Sequence, residues 1–373
     1  MTELYSLCVK DGVAFKALQL ASNWEGGRKL GGADAKIHRY PYKLLFDRNL
    51  ESIPFRDRLL SQIKEVLAYK PSLLVLPGYS DFSHWILLLV SKVFLKLKVI
   101  VAIDSTVKDR PRVYWKEMLK QVFVRSCDAA FCYGTASSAY AETLGMHKGR
   151  IYIRFQATDN DTIKAVFETA KRTRQNLIPR YKVKNRNFIF VGRLSPEKNL
   201  SVLLLSFKSA VESCKALSDW GLILVGDGPQ RGELESLVHK NDIPNVFFLG
   251  GKAWDQVPIF YALSDVFVLP SITEPWGLVV NEAMLCGLPV VVSNTVGASY
   301  NLVRDGENGF RFSPHNQEEL SSVLQKFMSD KVDIQEMGKK SEEIIKDYTP
   351  EIAAAQMYRG INSVLRLNRK HTV

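Results

Sequence analysis

Short apolar runs recur through the second half of the chain at 188–191, 221–225, 246–249, 266–269 and 289–292, dominated by Val, Ile, Leu and Phe. Amphipathic stretches at 200–213, 230–239, 254–263 and 279–286 separate them. Strands apolar on both faces, joined by helix-length crossovers, predict a parallel sheet covered on both sides. That is a doubly wound α/β domain. The first half repeats the rhythm less regularly, with strands expected at 4–9, 72–76, 99–103 and 129–133 and helices at 56–69, 82–95, 112–125 and 137–144. Residues 23–39, holding Gly26, Gly27, Gly31 and Gly32, read as a loop. The charged segment 154–186 with Pro179 reads as a hinge. A last helix at 350–367 carries Ile352, Met357, Ile361 and Leu365 on one face. The expected division is therefore 1–180, 181–349 and a terminal segment 350–373.

Composition supports this picture and narrows it. A chain of 373 residues that is 46% apolar has material for two cores. Five scattered cysteines (Cys8, Cys127, Cys132, Cys214, Cys286) show neither zinc-site spacing nor a disulfide framework. The first residues include Glu3 and Asp11 and do not read as a secretory signal. The most apolar stretch, 85–103, contains Lys92, Lys96 and Lys98, so it reads as a buried helix and strand and not as a membrane span. A cytoplasmic protein is expected, with room for peripheral contact at the inner membrane face.

Charge is distributed unevenly. Through Arg180 there are 29 Lys/Arg against 17 Asp/Glu, a surplus of +12, whereas the remainder has 21 against 22, or −1. A basic first half suits an anionic or lipid-linked acceptor or an anionic membrane face; a solvated surface is the equal alternative.

Ligands of open parallel sheets sit beyond the carboxyl ends of the strands, so the chemistry is sought in the loops there. The richest runs from Ser271 to Pro289, after the fourth run and into a helix. Gly277 lets backbone N–H groups of Gly277 and Leu278 approach a ligand, and free amides at a helix start suit a phosphate. Glu282 lies one turn beyond Leu278, placed to accept hydrogen bonds from a ribose diol. Glu274 stands in the loop beside Pro275 and Trp276, within reach of sugar hydroxyls. Two solvated carboxylates flanking a helix start are the plainer reading of the glutamates alone. Pro275, Gly277 and the Gly287-Leu288-Pro289 stop weigh against it.

The second constellation follows the first run of this half, where Arg193 and Lys198 stand on one loop. Two cations there can neutralise a departing diphosphate, as a divalent metal does elsewhere. Ser195-Pro196-Glu197 also spells a helix start. Gly226-Asp227-Gly228 follows the next run and permits a tight turn near a ligand, although it departs from the dinucleotide fingerprint. Lys252, after Gly250-Gly251, is a candidate frame for the nucleobase.

Together these residues resemble the retaining glycosyltransferases of family 4. The spacing from Glu274 to Glu282 looks like that family's Glu-x7-Glu motif, with Arg193, Lys198, Gly226-Asp227-Gly228-Pro229 and Gly287-Leu288-Pro289 in the same order. The resemblance spans about 187–348. It implies a GT-B fold, two doubly wound Rossmann-like domains facing a central cleft, and transfer of a sugar with retention. It also implies a nucleotide-sugar donor, UDP-sugar favoured over GDP-sugar, held by the C-terminal domain without metal or other cofactor. Glu282 would take the ribose, Glu274 the transferred sugar, and Arg193 with Lys198 the diphosphate. The last helix is expected to cross back to the first domain.

In the first half, Gly12 within Lys10-Asp11-Gly12-Val13 is the nearest counterpart of the family's glycine-rich loop. Asp104, after the 99–103 strand, is a candidate to face the acceptor or reacting sugar; capping the next element is its equal alternative. Asp159-Asn160-Asp161 spells a metal-binding Asp-x-Asp pattern but lies in the hinge, where a turn before a helix fits better. No metal is expected, and no two-histidine zinc spacing occurs. Two rival readings remain: a sugar-nucleotide epimerase or sugar phosphorylase of the same fold, and a non-catalytic nucleic-acid or membrane-binding module on the basic half. No acid/base set for the former stands out, and no aromatic-and-basic interleaving supports nucleic acid.

Overall fold

The computed structural model describes residues 1–23, 38–109, 112–214 and 219–367, which form two compact units. The first unit comprises 1–107, 111–156 and 350–373, and the second 108–110 and 157–349.

In the first unit β1 (Ala17–Asn23) pairs in parallel with β2 (Tyr42–Asn49). A separate parallel sheet runs β3 (Leu73–Leu76), β4 (Lys98–Ile103), β5 (Ala129–Cys132) and β6 (Ile151–Ile153) in that spatial order. Helices Phe82–Leu89, Tyr114–Ser126 and Thr135–Thr143 make the crossovers. The lysines of the apolar stretch 85–103 have an evident place. Asp128 takes Lys92 at 2.7 Å and Lys98 at 3.1 Å, and accepts from the Val99 amide at 2.8 Å.

Two expectations for this half fail. Residues 4–9 are not a strand but part of the helix Thr2–Lys10. Leu4 and Cys8 stand one helical turn apart and are buried with Ala354, Met357 and Ile361 of the helix Pro350–Leu367, so a four-residue spacing won over a short apolar run. Gly12 therefore closes a helix, its amide bonding Val9 O at φ +67°, and does not follow a strand. The first strand is β1, whose mixed sequence Ala-Leu-Gln-Leu-Ala-Ser-Asn shows no clean period. The four glycines of the 23–39 loop lie outside the described residues.

The second unit is one six-stranded sheet of β7 (Arg186–Val191), β8 (Trp220–Val225), β9 (Val246–Gly250), β10 (Val266–Leu269), β11 (Val290–Ser293) and β12 (Gly309–Phe312). All pairs are parallel, in the order β12-β11-β10-β7-β8-β9. The strands at its centre are almost wholly buried, as their unbroken apolar runs require. Phe188 on β7 stacks on Trp220 at 4.5 Å and meets Phe207 and Phe327 edge-on, tying the sheet to two helices.

The boundary falls at 156/157, not at 180/181. The helix Asn160–Arg172 is amphipathic and buries Ile163, Phe167 and Ala170; it packs on the second-unit helices Val257–Ala262 and Leu278–Leu285. Asp159 caps that helix through the Thr162 amide at 3.1 Å, so the Asp-x-Asp pattern is a helix start.

Candidate active site

From β7 the chain winds outward to β9, then returns beside β7 as β10 and winds the other way. At such a reversal, open parallel sheets bind their ligands beyond the carboxyl ends of the strands. Arg193 and Lys198 leave β7 there, and Glu274 and Gly277 leave β10.

The two loops are stitched together by backbone and side-chain bonds. Ser195 Oγ donates to Glu197 Oε1 at 2.5 Å, shaping a short 3-10 turn over Pro196–Lys198. Asn199 follows in the left-handed conformation and its side-chain Nδ2 donates to Pro270 O at 3.3 Å and Pro314 O at 2.7 Å. The Ile272 amide bonds Glu197 O at 2.9 Å. Against this frame the Lys198 ammonium forms an ion pair with Glu274, both side chains only about one sixth exposed. Arg193, on the same loop, is exposed and makes no ion pair among the described residues.

The Glu274 loop is fixed from its other side by residues that follow β11. Gly297 N donates to Glu274 O and Ala298 N to Trp276 O, each at 2.9 Å. A Cβ on Gly297 would lie 1.9 Å from Pro275 O, so only glycine lets these backbones meet. Gly297 also lies just beyond a strand end, with no motif in the sequence to mark it. Gly277 sits at φ +95° with Glu274 Cγ, Leu269 Cδ2 and Val296 Cγ1 each 3.2 Å from where a Cβ would be. It opens the helix Leu278–Leu285, whose first turn carries no acidic side chain to occupy its free amides.

Glu282 lies one turn into that helix, half-buried, with Oε2 accepting from the Tyr261 hydroxyl at 3.1 Å. Burial pushes its carboxyl up to about 7, against the pull of the Tyr261 hydrogen bond. Burial likewise raises the neighbouring Cys286 thiol and the Tyr261 phenol, so neither ionises near neutrality. Removing the hydroxyl with Tyr261→Phe is expected to move Glu282 upward by on the order of one pH unit. Donor-nucleotide titration across pH would read that shift as a displaced midpoint; an unmoved midpoint would show the hydroxyl to be irrelevant.

The glycines after β8 let two loops lie against each other. A Cβ on Gly226 would meet Gly192 O at 1.8 Å, and one on Gly228 would meet Leu194 O at 2.3 Å. The pair lets this loop lie against the Arg193 loop, with Leu194 N bonded to Asp227 O at 3.1 Å and Gln230 N to Leu194 O at 3.0 Å. Asp227 turns onto the Gly228 amide at 2.8 Å. These residues shape the loop that presents the cations. Gly226→Ala is expected to destabilise the fold by about 3 kcal/mol or more, because backbone and not a flexible side chain must yield. A denaturation midpoint equal to that of the parent protein would contradict this packing.

The remaining candidates are dispersed. Trp276 is only 2% exposed, its indole donating to Asn281 Oδ1 at 2.9 Å, so its side chain belongs to the core and supports the loop from beneath. Pro275 is half-buried and Leu278 is 36% exposed at the helix start. Lys252 holds its ammonium over the Phe260 ring at 5.6 Å. Gly12 and Asp104 lie in the first unit; Asp104 is exposed directly after β4.

Residues 173–346 match the family model described as glycosyl transferases group 1. Over that span, which lies within the second unit, the chain is similar to group 1 glycosyl transferases. An uncharacterized glycosyltransferase of Methanocaldococcus jannaschii is 27% identical over 219 residues, covering 55% of this chain and 60% of that protein. The sulfoquinovosyl transferase of Arabidopsis thaliana is 36% identical over 162 residues, which is 43% of this chain and 30% of that one. The chain thus spans less than two thirds of either relative. Among solved structures, Anabaena HepE in complex with UDP-glucose superposes with a TM-score of 0.67 at 20% identity, covering 88% of this chain and 87% of that one. That likeness extends beyond the matched segment into the first unit, and the fold is GT-B.

Proposed function

We propose that this chain transfers a sugar from a nucleotide-diphosphate donor to an acceptor hydroxyl, with retention of configuration and without a metal ion. The observation that carries the reading is the Lys198–Glu274 pair at the sheet's reversal point, beside Gly277 and a helix start with open amides. As the anomeric C–O bond breaks, negative charge gathers on the diphosphate. Lys198, Arg193 and the amides near Gly277 and Leu278 stabilise it most in the transition state, which lowers the barrier. Glu274 accepts hydrogen bonds from the sugar hydroxyls once Lys198 turns to phosphate. Glu282, ionised, accepts the ribose diol. The match to the group 1 family model and the UDP-glucose bound to a protein of the same fold support a UDP-sugar ahead of a GDP-sugar.

The test is a panel of UDP-, GDP- and ADP-sugars, read by thermal shift and by release of nucleoside diphosphate, with EDTA in parallel. One donor class should stabilise the protein and be turned over unchanged in chelator. Glu282→Gln and Lys198→Ala should each weaken that response. Loss of turnover in EDTA would refute metal independence. A response that both variants keep would place the donor elsewhere.

A further inference from the structure

The first unit carries an apolar surface that its own core leaves open. On the helix Tyr114–Ser126, Phe123 and Val124 are buried, whereas Tyr114, Trp115, Met118, Leu119 and Val122 are exposed. Their spacing of one and three residues draws a single stripe along the helix, and Tyr114 is 81% and Val122 60% exposed. The preceding helical segment repeats the pattern. Phe82, Leu89 and Val93 recur at seven and four residues on one face, followed by Phe94 at 74% exposure. Trp85 packs on Phe123 at 4.9 Å, so the two helices are neighbours. Apolar exposure on this scale marks a contact site and not a solvated face.

Charge identifies the occupant. From 82 to 126 there are nine Lys/Arg against three Asp/Glu. Glu117, the one acidic residue within the two helices, is held by Lys120 at 2.7 Å and Arg112 at 3.6 Å. Lys96, Lys116 and Arg125 remain exposed, Lys116 with its ammonium 5.4 Å from the centre of the Trp115 ring. Aromatic and aliphatic side chains bordered by cations match the boundary between anionic headgroups and acyl chains, where Trp and Tyr are at home. A second copy fits poorly: an isologous contact would press the same three cations against one another. Among the described residues no helix is long and apolar enough to cross a membrane, so the contact is one of surface and not of span.

We propose that the helices Phe82–Leu89 and Tyr114–Ser126 seat the first unit on an anionic lipid surface. The inference is independent of the donor assignment. The experiment is flotation of the full chain with phosphatidylcholine vesicles, with or without about one third phosphatidylglycerol, at low and high salt. Binding is expected to anionic vesicles at low salt, weaker by about tenfold or more on phosphatidylcholine alone. Val122→Asp and the pair Lys116→Glu with Arg125→Glu should each abolish it, with thermal transition and donor response unchanged. Flotation that persists in Val122→Asp, or none with anionic vesicles, would overturn the proposal. So would a vesicle-free dimer in light scattering that Val122→Asp dissolves, because the surface would then belong to a second copy.

Discussion

Replacing Lys198 with alanine is expected to lower kcat/KM by about 10²–10³-fold, the largest single effect on turnover at this site. The loss has two sources. On the proposed function a cation that stabilises the departing diphosphate disappears, and Glu274, one sixth exposed and on a loop fixed by Gly297 and the Gly277 turn, is left as an unpaired anion near the donor. The two effects separate in a double variant. Lys198→Ala with Glu274→Gln should recover donor affinity, because the repulsion is gone, while turnover stays low. Equilibrium binding of the donor together with single-turnover rates would show it. A double variant that binds no better than Lys198→Ala would mean that repulsion from Glu274 is not what weakens the single variant. Arg193, exposed on the same loop, is expected to contribute less alone, because it has to be drawn in by the ligand.

Glu282→Gln is expected to weaken donor binding by about ten- to a hundredfold, the cost of exchanging charged for neutral acceptors on two hydroxyls. The pH dependence makes the assignment specific. With the Glu282 carboxyl pushed up to about 7, the ionised form proposed to accept the diol is lost below neutrality. Affinity in the parent protein should therefore fall about tenfold per unit below pH 7, and in Glu282→Gln that slope should vanish. Unliganded stability carries the opposite sign. A carboxyl whose pKa is raised on folding binds its proton more tightly in the folded state, so its contribution declines as pH rises from the ordinary carboxyl range to about 7. The parent's melting temperature should fall more steeply over that interval than the variant's. A pH slope in donor affinity that survives in Glu282→Gln would assign the titration to another group.

How far the sequence could be read differs between the units for a physical reason. In the second, strands buried on both faces leave unbroken runs such as Phe188–Val191 and Val266–Leu269, and these need no partner to be recognised. β12 escaped because Gly-Phe-Arg-Phe at the sheet edge is only half apolar. In the first, Leu4 to Val9 satisfies both periods, and only the neighbouring Pro350–Leu367 helix selects the helical one. The helix Asn160–Arg172 looked like part of a hinge because charge dominates its exposed face; Ile163, Phe167 and Ala170 commit it to the second unit.

The candidate site divides in the same way. Residue type and order alone specified the chemistry on offer: a cation pair after one strand, a glycine and two carboxylates after another, because free amides, fixed cations and a helix start are local properties. Distances between those loops were beyond its reach. That β10 returns beside β7, that Lys198 pairs with Glu274, and that Gly226, Gly228 and Gly297 serve loops nearly touching one another all depend on contacts between residues far apart in the chain. The same holds for Trp276, whose sequence neighbours suggested a ligand contact and whose packing put it in the core. Burial likewise moved Glu282 toward neutrality, since desolvation is imposed by surroundings that no local pattern records.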